Sequence, residues 1–460
     1  MNDNAGAVVR VGLGERHKRI ESFEPGAAKP ALYPEWGKTP YHRVDAARYI
    51  SAEHVDLEAE RLWPYIWQAA CREEELPETG DFLEYKITDQ SIILVRTASG
   101  AIKGYFNACP HRGTQLAKGC GHITQFVCPF HGWRWSLDGI NRYVHDRVEF
   151  PDLTDEELRL PEAAVEIWGG FVFVRLSSTG PTLAEYLEPV AKDLAPYRIE
   201  DYRIKSWRTI VLGANWKVAL EAFEEAYHSM GSHPQTMKGN CDVNCSYDTY
   251  GPHSRLTAPI GMPSARFKGR VKEQEVLETA IDNLLDIGLA DDAERRGLEQ
   301  LREIPLAEGQ TTRTLFQEMA HARLKDFLPD IPIDRHMEDW NYTLFPNLTF
   351  NLLPGSIFGF IARPNGGDPD SCIFDVIVLA HPAGEEWPAV ERELVTDPDH
   401  DWGVVAAQDF SNMELVQQGL HQRTTKFTRL ASYQEKRIVN RIAHIDRYYE
   451  MYAERRSDDR

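Results

Sequence analysis

The chain contains no apolar run of eighteen residues, so no membrane-spanning helix is expected from it. Its start, MNDNAGAVVRVGLGERHKR, has no apolar core of signal-peptide length followed by a small-residue cleavage site, and a cytoplasmic location is the expectation. Basic residues are in deficit: 51 Lys and Arg stand against 71 Asp and Glu, a formal net charge of -20. That balance opposes affinity for phosphate backbones and anionic lipid, which removes nucleic acid and membrane surfaces from the expected partners. Cysteine is scarce as well, with seven thinly spread residues. An odd, scattered set fits a reducing compartment better than a disulfide framework, and Cys241 and Cys245 read as buried or idle thiols rather than a metal pair. No GxGxxG follows a strand, and the Gly12 and Gly14 pair is not a dinucleotide loop. Internal repeats and low-complexity tracts are missing too.

What remains is an ordinary globular composition of 460 residues, enough for two or three domains, with 10% aromatic residues to line an apolar pocket. Residues 1 to 45 hold several Gly and Pro with little periodicity and read as an extended arm. From 46 to 180 the pattern is that of short strands: SIILVRT (91 to 97), a Ser99-Gly100 turn, AIKGYFN (101 to 107), an Asp138-Gly139 hairpin and GGFVFVRL (169 to 176). The rest, 181 to 460, changes character. GANWKVALEAFEEAYHSMG (213 to 231) has helical apolar spacing, and a charged helical stretch over about 265 to 328 suggests a lid. Long antiparallel strands follow over 340 to 364 and 371 to 382, then two helices near 402 to 419 and 433 to 453, the second with Ile438, Ile442 and Ile445 as its buried stripe.

The most specific signal is CPHRGTQLAKGCGHITQFVCPFHGW (109 to 133). It sets Cys109 and His111, then sixteen residues, then Cys128 and His131 on predicted loops. Zinc fingers usually offer a cysteine pair and then a histidine pair, whereas each half here supplies one of each. Mixed halves suit a two-iron cluster with thiolates on one iron and imidazoles on the other, the ligand set of a Rieske [2Fe-2S] centre. CPHRG and CPFHGWRW, followed by the DG turn, resemble the Rieske domain of ring-hydroxylating oxygenases. Respiratory Rieske proteins add a disulfide whose positions here are Thr114 and Phe130, and Cys120 is an unpartnered loop thiol, so the resemblance is to the oxygenase branch.

The chain is far longer than an electron carrier needs. In NWKVALEAFEEAYHSMGSH the helical step groups Glu221, Glu225 and His228 on one face, either a solvated polar face or part of a site. Gly231 and Pro234 stop the helix and free His233 to turn back toward His228. The segment resembles the catalytic motif of Rieske non-haem iron oxygenases, in which two such histidines bind mononuclear Fe(II) and a later carboxylate precedes Asn-Met-Glu. In QDFSNMELVQQGL that carboxylate is Asp409, before Asn412, Met413 and Glu414. The resemblance thus implies a two-His-one-carboxylate triad of His228, His233 and Asp409 with positions left open for O2. Where the family usually has Asp bridging the first iron-binding His to a Rieske histidine of a neighbouring subunit, this chain has Glu225. It would accept from His228 and, by analogy, from His131 across the interface.

The resemblance, covering about 45 to 450, implies an α+β fold: an all-β Rieske domain plus a helix-and-antiparallel-sheet (helix-grip, START-like) catalytic domain. It implies an oxidoreductase, the terminal oxygenase component, holding one [2Fe-2S] cluster and one mononuclear Fe(II). Electrons would come from a separate NAD(P)H-dependent reductase or ferredoxin, and the chain would assemble as a homotrimer, with or without a small second subunit. The expected reaction is cis-dihydroxylation of an aromatic or other apolar substrate. The alternative is monooxygenation or demethylation of an O-methyl, N-methyl or quaternary-amine substrate. Phe345, Phe350, Leu352, Phe358, Phe360 and Phe223 are expected to line an apolar pocket without a dedicated cation.

Overall fold

The computed structural model describes residues 40–188, 190–286 and 292–453. The chain divides into two compact units. One comprises Asp56–Glu188, Ile199–Asp201 and the described residues from Tyr448; the other comprises the described residues up to Val55, those preceding Ile199 after the gap at 189, and Tyr202–Arg447. Among the described residues no helix is long and apolar enough to cross a membrane.

The first unit is mainly β. Its seven-stranded antiparallel sheet runs in the order Gln68–Arg72, Phe171–Arg175, Glu162–Trp168, Ile102–Phe106, Gln90–Arg96, Asp81–Ile87, Cys120–His122. The hairpin expected around Ser99 and Gly100 joins two of these strands in register, with Leu94 opposite Gly104. A second sheet of three short strands, Phe126–Val127, Arg134–Trp135 and Asn141–Tyr143, carries the Asp138-Gly139 turn. Cys109 lies on a loop between strands of the large sheet and Cys128 between strands of the small one. The core here includes Ile93, Val95, Tyr105, Phe126, Trp133 and Trp135, and both cysteines belong to it.

The second unit is built on an eight-stranded sheet. Its order is Ser246–Tyr250, His253–Pro259, Glu338–Leu344, Leu348–Leu353, Ser356–Asn365, Asp368–Ala380, Arg203–Leu212 and Glu393–Leu394, antiparallel except for the last pair. Short helix Trp216–Glu221 packs on strands Ser356–Asn365 and Asp368–Ala380, and helix Val404–Leu420 packs on it in turn. The charged stretch forms three helices, Glu273–Asp286, Asp292–Arg302 and Thr312–Leu324, as expected. The closing helix Lys436–Met451 buries Ile438, Ile442 and Ile445. A mainly β unit and a second unit with helices over a mostly antiparallel sheet make up the expected fold class.

Two local expectations differ. The arm over 1 to 45 lies outside the described residues as far as 39, but His42–Asp45 forms a strand paired with Phe427–Leu430. The helix expected over 213 to 231 is ruptured: it stops at Glu221 and resumes only as Ser229–Ser232.

Candidate functional site

The two cysteine loops are built alike. In each, a glycine N–H closes back on the cysteine carbonyl four residues earlier, Gly113 on Cys109 at 2.8 Å and Gly132 on Cys128 at 3.0 Å. Both glycines sit at positive φ, 74° and 70°, a region that a Cβ penalises, and this explains the CPHRG and CPFHG spelling. The turns bring His111 and His131 together with their Nδ1 atoms 3.1 Å apart, while His111 stacks on Trp133 at 4.8 Å. Both cysteines are buried and both histidines half-exposed. Burial pushes the Cys109 thiol up. At Cys128 burial acts the same way, but hydrogen bonds from the backbone N–H groups of Phe130 and His131, together with those of the Cys109 and Thr114 side chains, outweigh it and hold the thiol below its ordinary value. Amide donors aimed at sulfur favour thiolate, the form that binds iron.

The helical rupture in the other unit has a cause distant in sequence. Glu224 is fully buried and its carboxylate is held by Arg441, with Nε 3.0 and 3.1 Å from its two oxygens, and by the Thr343 hydroxyl at 2.9 Å. Its carbonyl, which in a continuous helix would accept from the N–H of His228, accepts from Arg437 at 3.2 Å. The freed His228 N–H donates to Glu225 Oε2 at 2.9 Å. Tertiary capture thus overrides helix propensity. The expected grouping of Glu221 with Glu225 and His228 on one helical face fails for the same reason, and Glu221 accepts from the Tyr49 hydroxyl at 3.0 Å.

The break lets both histidines turn toward Asp409 on helix Val404–Leu420. His233 Nε2 lies 2.8 Å and His228 Nε2 3.7 Å from the same carboxylate oxygen. Each ring is fixed from behind: His228 Nδ1 lies 2.7 Å from Glu225 Oε1, and His233 Nδ1 lies 2.8 Å from Gln408 Oε1. With Nδ1 donating its proton, each Nε2 presents a lone pair to a shared point. Among the described residues, His228, His233 and Asp409 are the set whose ligand atoms, all within 4.8 Å of one another, suit a single metal ion. Burial would depress the His228 pKa, but Glu225 and then Asp409 outweigh it and raise it to about 9, so the field here favours added positive charge. Gln408 was not found from the sequence; its only signal is adjacency to Asp409.

A cavity of about 250 Å³ opens onto this triad. Of the residues expected to line it, Phe223 and Phe358 do. Phe350 and Leu352 alternate to the other face of their strand, Phe345 is buried elsewhere, and Phe360 lies beneath Phe223 with ring centroids 3.6 Å apart. The lining is also more polar than expected. Asp339, Asn341 and Asn351 face it from the sheet, and Asp242 faces it while paired with Arg266 at 2.7 Å. No Lys or Arg is among the described lining residues.

Both donor sets fit the groups the sequence implies: buried thiols and facing imidazoles for a two-iron cluster, two imidazoles and a carboxylate for one iron. Family models match in the same two places. The one described as Rieske [2Fe-2S] domain covers residues 66–151, and the one described as ring hydroxylating alpha subunit (catalytic domain) covers residues 199–451. The chain is 29% identical over 321 residues to the glycine betaine monooxygenase oxygenase subunit of Chromohalobacter salexigens, covering 68% of each chain. It is 32% identical over 194 residues to the N,N-dimethyl phenylurea N-demethylase subunit alpha of Sphingobium sp., covering 38% of this chain and 40% of that one. A solved quaternary ammonium Rieske monooxygenase, described in terms of carnitine oxidation and inter-subunit electron transfer, superposes with a TM-score of 0.63 at 18% identity, over 89% of this chain and 95% of that one. At that identity the likeness speaks of the fold.

Proposed function

Because the chain belongs to the ring-hydroxylating alpha-subunit family of Rieske oxygenases, we propose that it is a monooxygenase that oxidises an N-methyl group of an amine or ammonium substrate. Membership brings one [2Fe-2S] cluster and one mononuclear iron, and it makes the chain an oxidoreductase that uses O2. We assign the cluster to Cys109, His111, Cys128 and His131, and the iron to His228, His233 and Asp409. Bound there, the cluster would relay single electrons and the iron would activate O2.

The rest falls to side chains. Glu225 and Gln408 hold the two ligand rings in the tautomer that leaves Nε2 free. The cavity positions the methyl carbon beside the triad. In overall balance one oxygen atom enters a methyl C–H bond and the other leaves as water, consuming two electrons and two protons. The resulting N-hydroxymethyl group loses its hydroxyl proton, its C–N bond breaks with the electron pair kept on nitrogen, and formaldehyde and the demethylated amine depart. Electrons would come from a separate NAD(P)H-dependent reductase, directly or through a ferredoxin. A homotrimer with transfer between subunits and a cytoplasmic location complete the reading.

The observation that carries this over ring dihydroxylation is the lining of the cavity beside the triad: carboxylate and amide side chains with no described Lys or Arg. Carboxylate and amide groups set among apolar side chains such as Phe223, Leu256 and Phe358 favour a cation that carries apolar groups over an uncharged ring. The test is a substrate screen with purified, iron-loaded protein and a reductase, scoring formaldehyde from N-methyl compounds against cis-diols from aromatic hydrocarbons. Diols without formaldehyde would overturn the proposal.

A further inference from the structure

Of the carboxylates lining the cavity, three are spoken for. Glu225 is bonded to His228, Asp409 to His233, and Asp242 to Arg266 and to the Ser264 hydroxyl at 2.6 Å. Asp339 differs. Its Oδ1 is sealed from solvent and has no hydrogen-bond partner among the described residues. Two residues along the same strand, and so on the same face, Asn341 is buried and donates to Asn351 Oδ1 at 2.8 Å, but its own Oδ1 is also without a partner. Both residues line the cavity and each holds an oxygen without a donor, so the pair would gain from N–H or O–H groups brought to it, because a buried acceptor left bare forfeits its hydration.

The charge on Asp339 is only partly compensated. Burial pushes its carboxyl up to about 7, which Arg437 and Arg335 offset only in part. Both guanidiniums are engaged elsewhere, Arg437 with Ser254 and Thr343, Arg335 with Glu338 and stacked over Trp340. Aromatic side chains in the described lining are limited to Phe223 and Phe358, and Phe223 gives a face to Phe360. That is short of the cage by which aromatic faces hold a quaternary ammonium.

We propose that Asp339, with Asn341, is the specificity-determining site for an ammonium bearing at least one N–H, so that the substrate class is protonated N-methyl secondary or tertiary amines without a carboxylate. The assignment rests on the N-methyl oxidation reading above and narrows it. A quaternary nitrogen has no hydrogen to give either acceptor. A zwitterion such as betaine or carnitine brings a carboxylate that the described lining meets with no Lys or Arg.

The probes are N,N-dimethylbenzylamine, protonated at neutral pH, and N,N,N-trimethylbenzylammonium, which share one ring and one charge. With iron-loaded protein and a reductase, the dimethyl compound should release formaldehyde with kcat/KM at least about tenfold above the trimethyl compound. Asp339→Asn, matched to the parent in cluster spectrum and iron content, should raise KM for the dimethyl compound at least about tenfold with little change in kcat and abolish the preference. Equilibrium dialysis of both probes against the unaltered protein gives the same comparison without relying on a variant. Equal or better binding and turnover of the trimethyl compound, or a preference that survives Asp339→Asn, would refute the assignment while leaving N-methyl oxidation standing. Ring diols from both probes and no formaldehyde would refute the underlying reading itself.

Discussion

Replacing Glu225 by Gln tests how the iron site is held. The carboxylate accepts two bonds from one residue, the His228 N–H at 2.9 Å and the ring Nδ1 at 2.7 Å. A glutamine offers a single acceptor atom, so one of these donors must go without, and the bond that remains is no longer charge-assisted. Hydrogen bonds to charged groups contribute about 1.5–3 kcal/mol. If that orientation energy is needed for His228 to present Nε2, iron affinity falls by about 10- to 100-fold. Fe(II) titration of the anaerobic metal-depleted chain against a competing chelator reads this directly, with the visible spectrum of the cluster as a control that the other unit is unaffected. Glu225→Asp keeps the charge but shortens the reach by one methylene, so it should fall between parent and Gln. Parental iron affinity in Glu225→Gln would refute the reasoning, because the second acceptor oxygen would then be doing nothing for the ligand.

Two further outcomes follow from buried charge near the same break. Arg441→Met leaves the Glu224 carboxylate buried without its guanidinium and should cost about 3–5 kcal/mol in chemical denaturation, together with loss of iron; unchanged stability would count against the account of the ruptured helix. Glu221 is raised to about 8 from an ordinary 4.5, first by burial and then by Glu224, against Arg441, Tyr49 and Lys217. Its neutral form therefore contributes stability that is complete below about pH 4.5 and is lost as pH rises through 8, and Glu221→Gln should melt higher than the parent at pH 9 but not at pH 4.

The cluster loops were legible because all four donors and both turn glycines fall within one contiguous stretch, where spacing and chemistry are the same information. The strand pairs were legible for a similar local reason. What the sequence hid was set by residues far apart along the chain. Nothing between Ala222 and Tyr227 breaks a helix; the break comes from Arg437 and Arg441 on the closing helix. The lining of the cavity was misjudged because alternation sorts a strand into two faces without saying which one meets the cavity, and the face chosen, with Phe350 and Leu352, was the wrong one. Asp409 emerged only through resemblance, since a lone acid on a helix announces nothing, and Gln408 beside it gave no sign at all.

The hold that Arg437 and Arg441 exert on Glu224 also bears on the order of assembly. During synthesis the cysteine loops leave the ribosome early. His228 and His233 emerge later, yet until the downstream helix arrives nothing draws the Glu224 carbonyl out of helical bonding. On the proposed assignment the four cluster donors lie together early in the chain, whereas the iron triad takes its shape only once Asp409 and the closing helix have been made.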